Sequence, residues 1–203
     1  MPNGMKNHLK KQMHTWHWIS SAVCLICMML FAITGITLNH AEYFDASPEV
    51  TEHEGELPPE LLNALNTRKP QPRLPEDIIN WIKSQWSVDT ELLLSDAEWN
   101  AYEIYVQKTI PGGDQWLSVD LETGQVSHMH TDRGWISWLN DLHKGRNTHT
   151  VWIWFLDVFS VATLIFCITG LVLLQIHSKR RPMTWYFTFA GVLVPGLLIA
   201  VFF

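Results

Sequence analysis

Cysteine is scarce: the 203-residue chain has three, Cys24, Cys27 and Cys167, and all lie in apolar runs. None falls between residues 40 and 147, which excludes a disulfide or a thiolate metal site there. Cys24-x-x-Cys27 sits inside an apolar helix, where the two thiols are expected to pack as small hydrophobes. A glycine-rich phosphate loop and a dinucleotide fingerprint are both missing, and no Ser-His-Asp arrangement suggests a catalytic nucleophile. No basic patch is present and the formal net charge is -6, so nucleic acid is not an expected partner. Charge itself is absent from long stretches. Trp16–Leu38 and Trp185–Phe203 carry no Asp, Glu, Lys or Arg, and Val151–Ile176 carries only Asp157.

Those stretches predict membrane spans. At about 1.5 Å per residue, a helix of roughly 20 apolar residues crosses a hydrocarbon core of about 30 Å. Packing three such helices inside a small soluble protein would require cores apolar on every face. The acids are segregated as sharply: of 20 Asp and Glu, all but Asp157 lie between Glu42 and Asp141. Lys6, Lys10 and Lys11 precede the first span, and Lys179, Arg180 and Arg181 separate the second from the third. Short Lys/Arg-rich segments stay cytoplasmic, which predicts an inner N-terminus, an outer acidic domain and an outer C-terminus. Trp16, Trp18, Trp152, Trp154 and Trp185 fall near span ends, where interfacial aromatics belong. The first span lacks a small-x-small cleavage site near Asn39 and reads as a retained helix.

The expected organisation is a mainly α membrane protein with three transmembrane helices. Residues 1–14 form a cytoplasmic N-terminus, 15–39 the first helix, 148–177 the second, 178–183 a cytoplasmic turn and 184–203 the third. Residues 40–147 form an extracytoplasmic acidic arm and a small α+β domain inserted between helices 1 and 2. His40 to about Pro75, with seven acids up to Glu60 and prolines at 58, 59, 70, 72 and 75, reads as irregular. Pro75-Glu76-Asp77 opens a helix to about Trp86 that carries Ile78, Ile79 and Ile82 on one face. Strands are expected at Glu91–Ser95, Ala101–Thr109 and Gln115–Leu121, with Gln125–His130 as a fourth. Pro111-Gly112-Gly113-Asp114 is a turn, and Gly134–Lys144 an amphipathic segment leading back to the membrane.

An internal repeat links the first two spans. A shift of 135 residues aligns His14-Thr15 with His149-Thr150 and Phe31-x-Ile33-Thr34-Gly35 with Phe166-x-Ile168-Thr169-Gly170, and it pairs Val23 with Val158 and Leu38 with Leu173. Because the two helices run in opposite directions, this is an inverted repeat of the kind that builds a shared site, with glycines allowing close approach.

Histidines mark the span ends. Antiparallel pairing gives an outer group of His40, His143 and His149 and an inner group of His14, His17 and His177. Imidazole is a good axial ligand for haem iron, and facing helices of a bundle are where such ligands are built. The 23 residues from His17 to His40 correspond to about 34 Å of helix, so ligands at both rims leave a central gap to be crossed. One haem or two remain open alternatives. Asp157, two turns from His149, is either a group that bonds a ligand or relays a proton, or a helix-packing partner for Ser or Thr. The arm offers hard oxygen ligands, among them Glu42 and Asp45, with His53 beside them, a donor set suited to ferric iron; a solvated loop is the plainer alternative.

Several segments carry a family likeness: Met13-His-Thr-Trp-His-Trp-Ile-Ser-Ser21, Ile33-Thr-Gly-Ile-Thr-Leu-Asn-His40, Asp141-Leu-His-Lys-Gly145 and Ile168-Thr-Gly-Leu171. Ser118-Val-Asp-Leu-Glu-Thr-Gly-Gln-Val126 looks like the closing strand and turn of a PepSY module. Together they resemble the PepSY-associated transmembrane family of bacterial inner-membrane proteins, and in size and order the small VciB-type ferric reductases. The resemblance implies b-type haem, one or two per protomer or shared across a dimer. It supports His17, His40 and His143 most directly, with His14 and His177 next. It also implies electron transfer outward to ferric iron, supplying a ferrous iron transporter. With no dinucleotide motif, a flavin- or quinone-linked cytoplasmic donor is expected. Without Cys-x-x-Cys-His no covalent haem is expected. Larger relatives have four spans, so three suggest a homodimer. The rival readings are a membrane-anchored PepSY module that binds or inhibits a periplasmic partner, and an accessory iron-binding subunit of a permease.

Overall fold

The computed structural model describes residues 3–43 and 47–203, apart from the side chains of residues 3–6 and Arg180. In chain order the elements are α1 (Asn3–Asn39), β1 (Glu49–Glu56), α2 (Pro59–Asn66), α3 (Glu76–Gln85), α4 (Thr90–Leu93), β2 (Ala97–Trp99), β3 (Glu103–Ile110), β4 (Gly113–Asp120), β5 (Gln125–Asp132), α5 (Gly134–Lys144), α6 (Thr150–His177) and α7 (Met183–Phe202). Short 3₁₀ turns follow α1 at Ala41–Tyr43 and α6 at Ser178–Arg180. Three helical stretches are long and apolar enough to cross a membrane: Asn7–Asn39, Thr150–His177 and Met183–Phe202. Between the first and second, the chain forms a five-stranded antiparallel sheet domain with helices, so the expected α membrane protein with an inserted α+β domain is the architecture observed.

The chain divides into two compact units, one made of the described chain up to Leu30 with Trp154–Phe203 and the other of Phe31–Ile153. In the first, few side chains are buried: Ser20, Cys24 and Thr169 are at most 5 % exposed, small residues that let helices approach. Cys24 and Cys27 are free thiols, and Cys24 is buried. The large apolar side chains of the spans are mostly exposed, as lipid-facing positions require.

In the second unit the sheet order is β1-β5-β4-β3-β2. Strict alternation buries Ile104 and Val106 of β3, Leu117 and Val119 of β4 and Val126 of β5. These meet Ile78, Ile79 and Ile82 of α3, the face expected of that helix, together with Leu65, Leu92 and Leu93. The turn between β3 and β4 is Pro111-Gly112, with Gly112 at φ 75°, the left-handed second position that favours glycine.

Two expectations are corrected. The arm from His40 to Pro75 is not all irregular: it contains β1, paired with β5, and α2. An edge strand tolerates the exposed Glu49, Glu52, Glu54 and Glu56, and Pro58-Pro59 starts α2 where a missing N–H costs nothing. Glu91–Ser95 is not a strand. Asp89 accepts the Glu91 N–H at 2.9 Å and caps the short helix α4, and the sheet gains β2 at Ala97–Trp99 instead. β3 then begins only at Glu103, because Asn100 Oδ1 accepts the N–H groups of Tyr102 and Glu103 and turns the chain.

Candidate functional site

Within the helical unit His14, His17 and His177 lie near one another. His17 Nδ1 lies 3.2 Å from the Phe166 carbonyl oxygen and 3.1 Å from Thr169 Oγ1. A carbonyl only accepts, and the Thr169 hydroxyl already donates to the Ile165 carbonyl at 2.7 Å. Nδ1 is therefore the protonated nitrogen, and the neutral ring keeps its lone pair on Nε2. The Phe166 ring stacks on the imidazole, with centroids 4.6 Å apart and planes 15° apart. Gly170 leaves the space: a Cβ there would stand 3.3 Å from His17 Cε1.

His177, one turn beyond Leu173, aims Nδ1 at that residue's carbonyl at 2.8 Å, and its ring meets the His14 ring edge-on at 6.0 Å. His14, His17 and His177 line one cavity of about 750 Å³, within the range of ligand pockets. Its apolar wall is Gly170, Leu173 and Leu174, and Arg181 brings a cation to it. In the sequence Arg181 carries only an orientation signal; nothing in the pattern places it beside the histidines.

The second unit holds a counterpart. His143 Nδ1 lies 2.6 Å from Thr34 Oγ1, which is itself 3.2 Å from the Phe31 carbonyl; with the Thr34 proton on that carbonyl the imidazole is the donor, and its neutral form carries the lone pair on Nε2. The Phe31 ring sits 4.8 Å from the imidazole, tilted by 39°, and a Cβ on Gly35 would be 3.6 Å from His143 Cε1. His143 arrives on α5, which ends directly after it. Gly145 takes φ 65°, and the N–H groups of Arg146 and Gly145 bond back to the carbonyls of Asp141 and Leu142, a Schellman closure. Thr37 Oγ1 donates to Asn140 Oδ1 at 3.1 Å and Trp152 Nε1 to the Leu142 carbonyl at 2.9 Å, fixing the same turn of α5. Asp141 is buried, accepting from Gly112 N–H at 2.9 Å and Arg146 Nε at 2.8 Å.

The remaining candidates fall apart by geometry. His40 bonds the Ile36 carbonyl through Nδ1 at 3.0 Å and faces Tyr43, so its neutral form carries the lone pair on Nε2. His149 is the opposite case: its Nδ1 accepts the Val151 N–H at 3.3 Å at the start of α6, so its neutral form carries the proton on Nε2. Asp157 is exposed on α6, with no hydrogen bond or ion pair among the described residues. Of the acid-arm set, Glu42 lies exposed in the 3₁₀ turn after α1 and His53 on β1, while Asp45 is outside the described residues. Among the described residues no group of three or more His, Cys, Asp or Glu is arranged to hold a metal ion.

His53 instead stands in a stack, 5.7 Å from the Trp86 ring on one contact and 5.7 Å from its cross-strand partner His128 on another. His128 is 5 % exposed and neither nitrogen has a hydrogen-bond partner among the described residues. Burial first, then the neighbouring His53 and His130, push its pKa from 6.5 down to about 4. Elsewhere on this unit the Arg68 guanidinium, bonded at 2.7 and 2.9 Å, holds the Asp77 carboxyl below its ordinary value.

Sequence comparison agrees with the architecture. No curated protein and no solved structure matches the chain. A protein-family model, PepSY_TM-like, matches residues 8–203. That span takes in all three apolar helices, the sheet domain and both histidine seats. The chain belongs to the PepSY_TM-like family.

Proposed function

We propose that this chain is a haem-b electron-transfer protein of the bacterial inner membrane. In this reading it reduces ferric iron at the periplasmic face and so supplies ferrous iron for uptake, as the VciB-type reductases it resembles are held to do. The observation that carries the reading is the cavity where His14, His17 and His177 meet Leu173, Leu174 and the cation of Arg181. The donor set fits a porphyrin: imidazoles at positions 17 and 177 have Nδ1 held by carbonyl acceptors, so that their neutral form presents the Nε2 lone pair, the walls are apolar, and Arg181 offers a charge partner for carboxylates. His143 and His40, with the same tautomer, supply ligand nitrogens in the other unit. Bound haem contributes one-electron redox chemistry. The protein's residues hold and orient the ligand nitrogens and keep water from them with Phe166 and Phe31. Net, one electron leaves a reduced flavin- or quinone-linked donor and Fe(III) becomes Fe(II). The exposed glutamates of β1 give the soluble domain an acidic edge toward that cation. Lys10 and Lys11 before the first span support an N-terminus on the cytoplasmic side, and the exposed faces of the three spans leave room for a second copy.

The test is a dithionite-reduced minus oxidised absorbance spectrum of the purified full chain and of H17A, H40A, H143A, H177A and R181Q. A b-type spectrum that H17A diminishes supports the reading. A haem-replete preparation with no such spectrum sinks it and leaves a PepSY module that binds a periplasmic partner, or an iron-holding permease subunit.

A further inference from the structure

Two seats, 135 residues apart in sequence, hold imidazoles that are not themselves related by the repeat. In each, Phe-x-Ile-Thr-Gly provides a ring to stack on, a hydroxyl to accept the Nδ1 proton and a missing Cβ where Cε1 comes to rest. The histidines come from elsewhere. By the same shift His17 corresponds to Trp152, and His143 to His8. What the two helices share is therefore the seat and not its occupant. Helix packing alone would account for the glycines. It does not account for a threonine in both copies whose oxygen lies 3.1 and 2.6 Å from an imidazole Nδ1.

The chemistry of that oxygen is specific. A threonine in a helix turns its proton onto a carbonyl of the preceding turn, which leaves only lone pairs facing outward. Thr169 does so toward Ile165 and Thr34 toward Phe31. An imidazole against such an oxygen is held in the Nδ1–H form, and its Nε2 becomes a more basic donor, since an acceptor on the distal N–H pushes density into the ring. A valine has the shape of threonine and none of this effect.

The geometry points to Thr169 and Thr34 as positioning residues: each fixes the tautomer and donor strength of one iron-ligand histidine, His17 and His143 respectively, and so sets the reduction potential of the haem that histidine binds. This rests on the haem reading above. The Phe166 carbonyl, 3.2 Å from His17 Nδ1, backs up the first seat, so the loss of the hydroxyl is felt more strongly at the second.

The experiment uses the full chain in nanodiscs, as wild type and as T169V, T169S, T34V and T34S. Redox titration of the b-type absorbance is the first readout. Nitrogen-15 NMR of labelled histidine in haem-free protein is the second. The valine variants are expected to raise the midpoint potential and to lower haem affinity by about 10- to 100-fold, with T34V the more affected and the serine variants near wild type. In the haem-free spectra, T34V shifts His143 from the Nδ1–H form toward a mixture of tautomers. Valine variants that match wild type in potential and affinity overturn the assignment while leaving haem binding intact. If the wild type shows no haem spectrum, the haem reading fails. The NMR arm then decides alone: a tautomer unchanged in both valine variants overturns the seats, and a shifted one upholds them.

Discussion

Asp141 Oδ2 accepts the backbone N–H of Gly112 at 2.9 Å, fastening the turn between β3 and β4 to the helix that carries His143. The contact is tight on the glycine side as well: a Cβ on Gly112 would stand 2.8 Å from the Trp138 nitrogen. Asp141→Ala strands a buried N–H and frees Arg146, at a cost of about 2–3 kcal/mol to the soluble domain. Arg146 is the exposed member of its ion pair, so Arg146→Ala is expected to cost under about 1 kcal/mol. Urea titration followed by tryptophan fluorescence separates the two. Equal midpoints for both variants would show that the Gly112 contact carries no weight.

The glycines of the two seats differ in room. At Gly170 an added methyl meets His17 Cε1 at 3.3 Å, closer than ordinary contact, whereas at Gly35 the corresponding distance to His143 is 3.6 Å. Gly170→Ala should therefore displace its imidazole and reduce haem retention about tenfold, while Gly35→Ala leaves its own seat near wild type. Haem-to-protein ratio after purification reads this directly. The reverse order of effects would contradict the geometry.

Much of the architecture could be read from the sequence because lipid and water sort residues so strongly. A span of about 20 apolar residues has few other uses. The alternation of Ile104, Val106, Leu117 and Val119, and the spacing of Ile78, Ile79 and Ile82, announce a sheet face and a helix face that cover each other. β1 was hidden by its own chemistry: glutamate is a poor strand former, and only an edge position with solvent on its open side makes Glu49–Glu56 a strand. Glu91-Leu-Leu-Leu-Ser95 is too short for periodicity to tell helix from strand, and the Asp89 cap decided it. The repeat was visible as a sequence pattern. That its threonines face His17 and His143 was not, since those contacts join residues 152 and 109 positions apart and no local spacing encodes them.

Acid should weaken the soluble domain through His128. Its pKa is about 4 in the folded domain against 6.5 when free, so the unfolded chain takes up the proton first as pH falls. Stability is full above about pH 6.5, declines by roughly 3 kcal/mol on the way down to about 4, and then stops depending on this group. Asp77, Asp89 and Asp120, whose values are lowered below 3.8, contribute their losses mainly beneath that window. His128→Leu removes two unpartnered buried nitrogens and should flatten the profile between pH 6.5 and 4 without loss at neutral pH. Unfolding midpoints across that range are the measurement, and an unchanged slope in the variant would refute the assignment.

The orientation argued from lysine and arginine predicts labelling. A cysteine in place of Tyr102, which is 74 % exposed on the sheet domain, should react with a membrane-impermeant maleimide in cells whose outer membrane alone is opened. One replacing Lys179 should react only once the inner membrane is breached. The opposite pattern would invert the topology and, with it, the direction proposed for the electron.

Helix α1 plays two parts at once: it lends His17 to the seat on α6 and offers its own seat to a histidine from α5. A repeated helix motif whose receptacle is the same in both copies, while the imidazole comes from a different stretch of chain each time, separates the hollow from its occupant. Phe-x-Ile-Thr-Gly then marks where an imidazole can be received, independently of which segment delivers it.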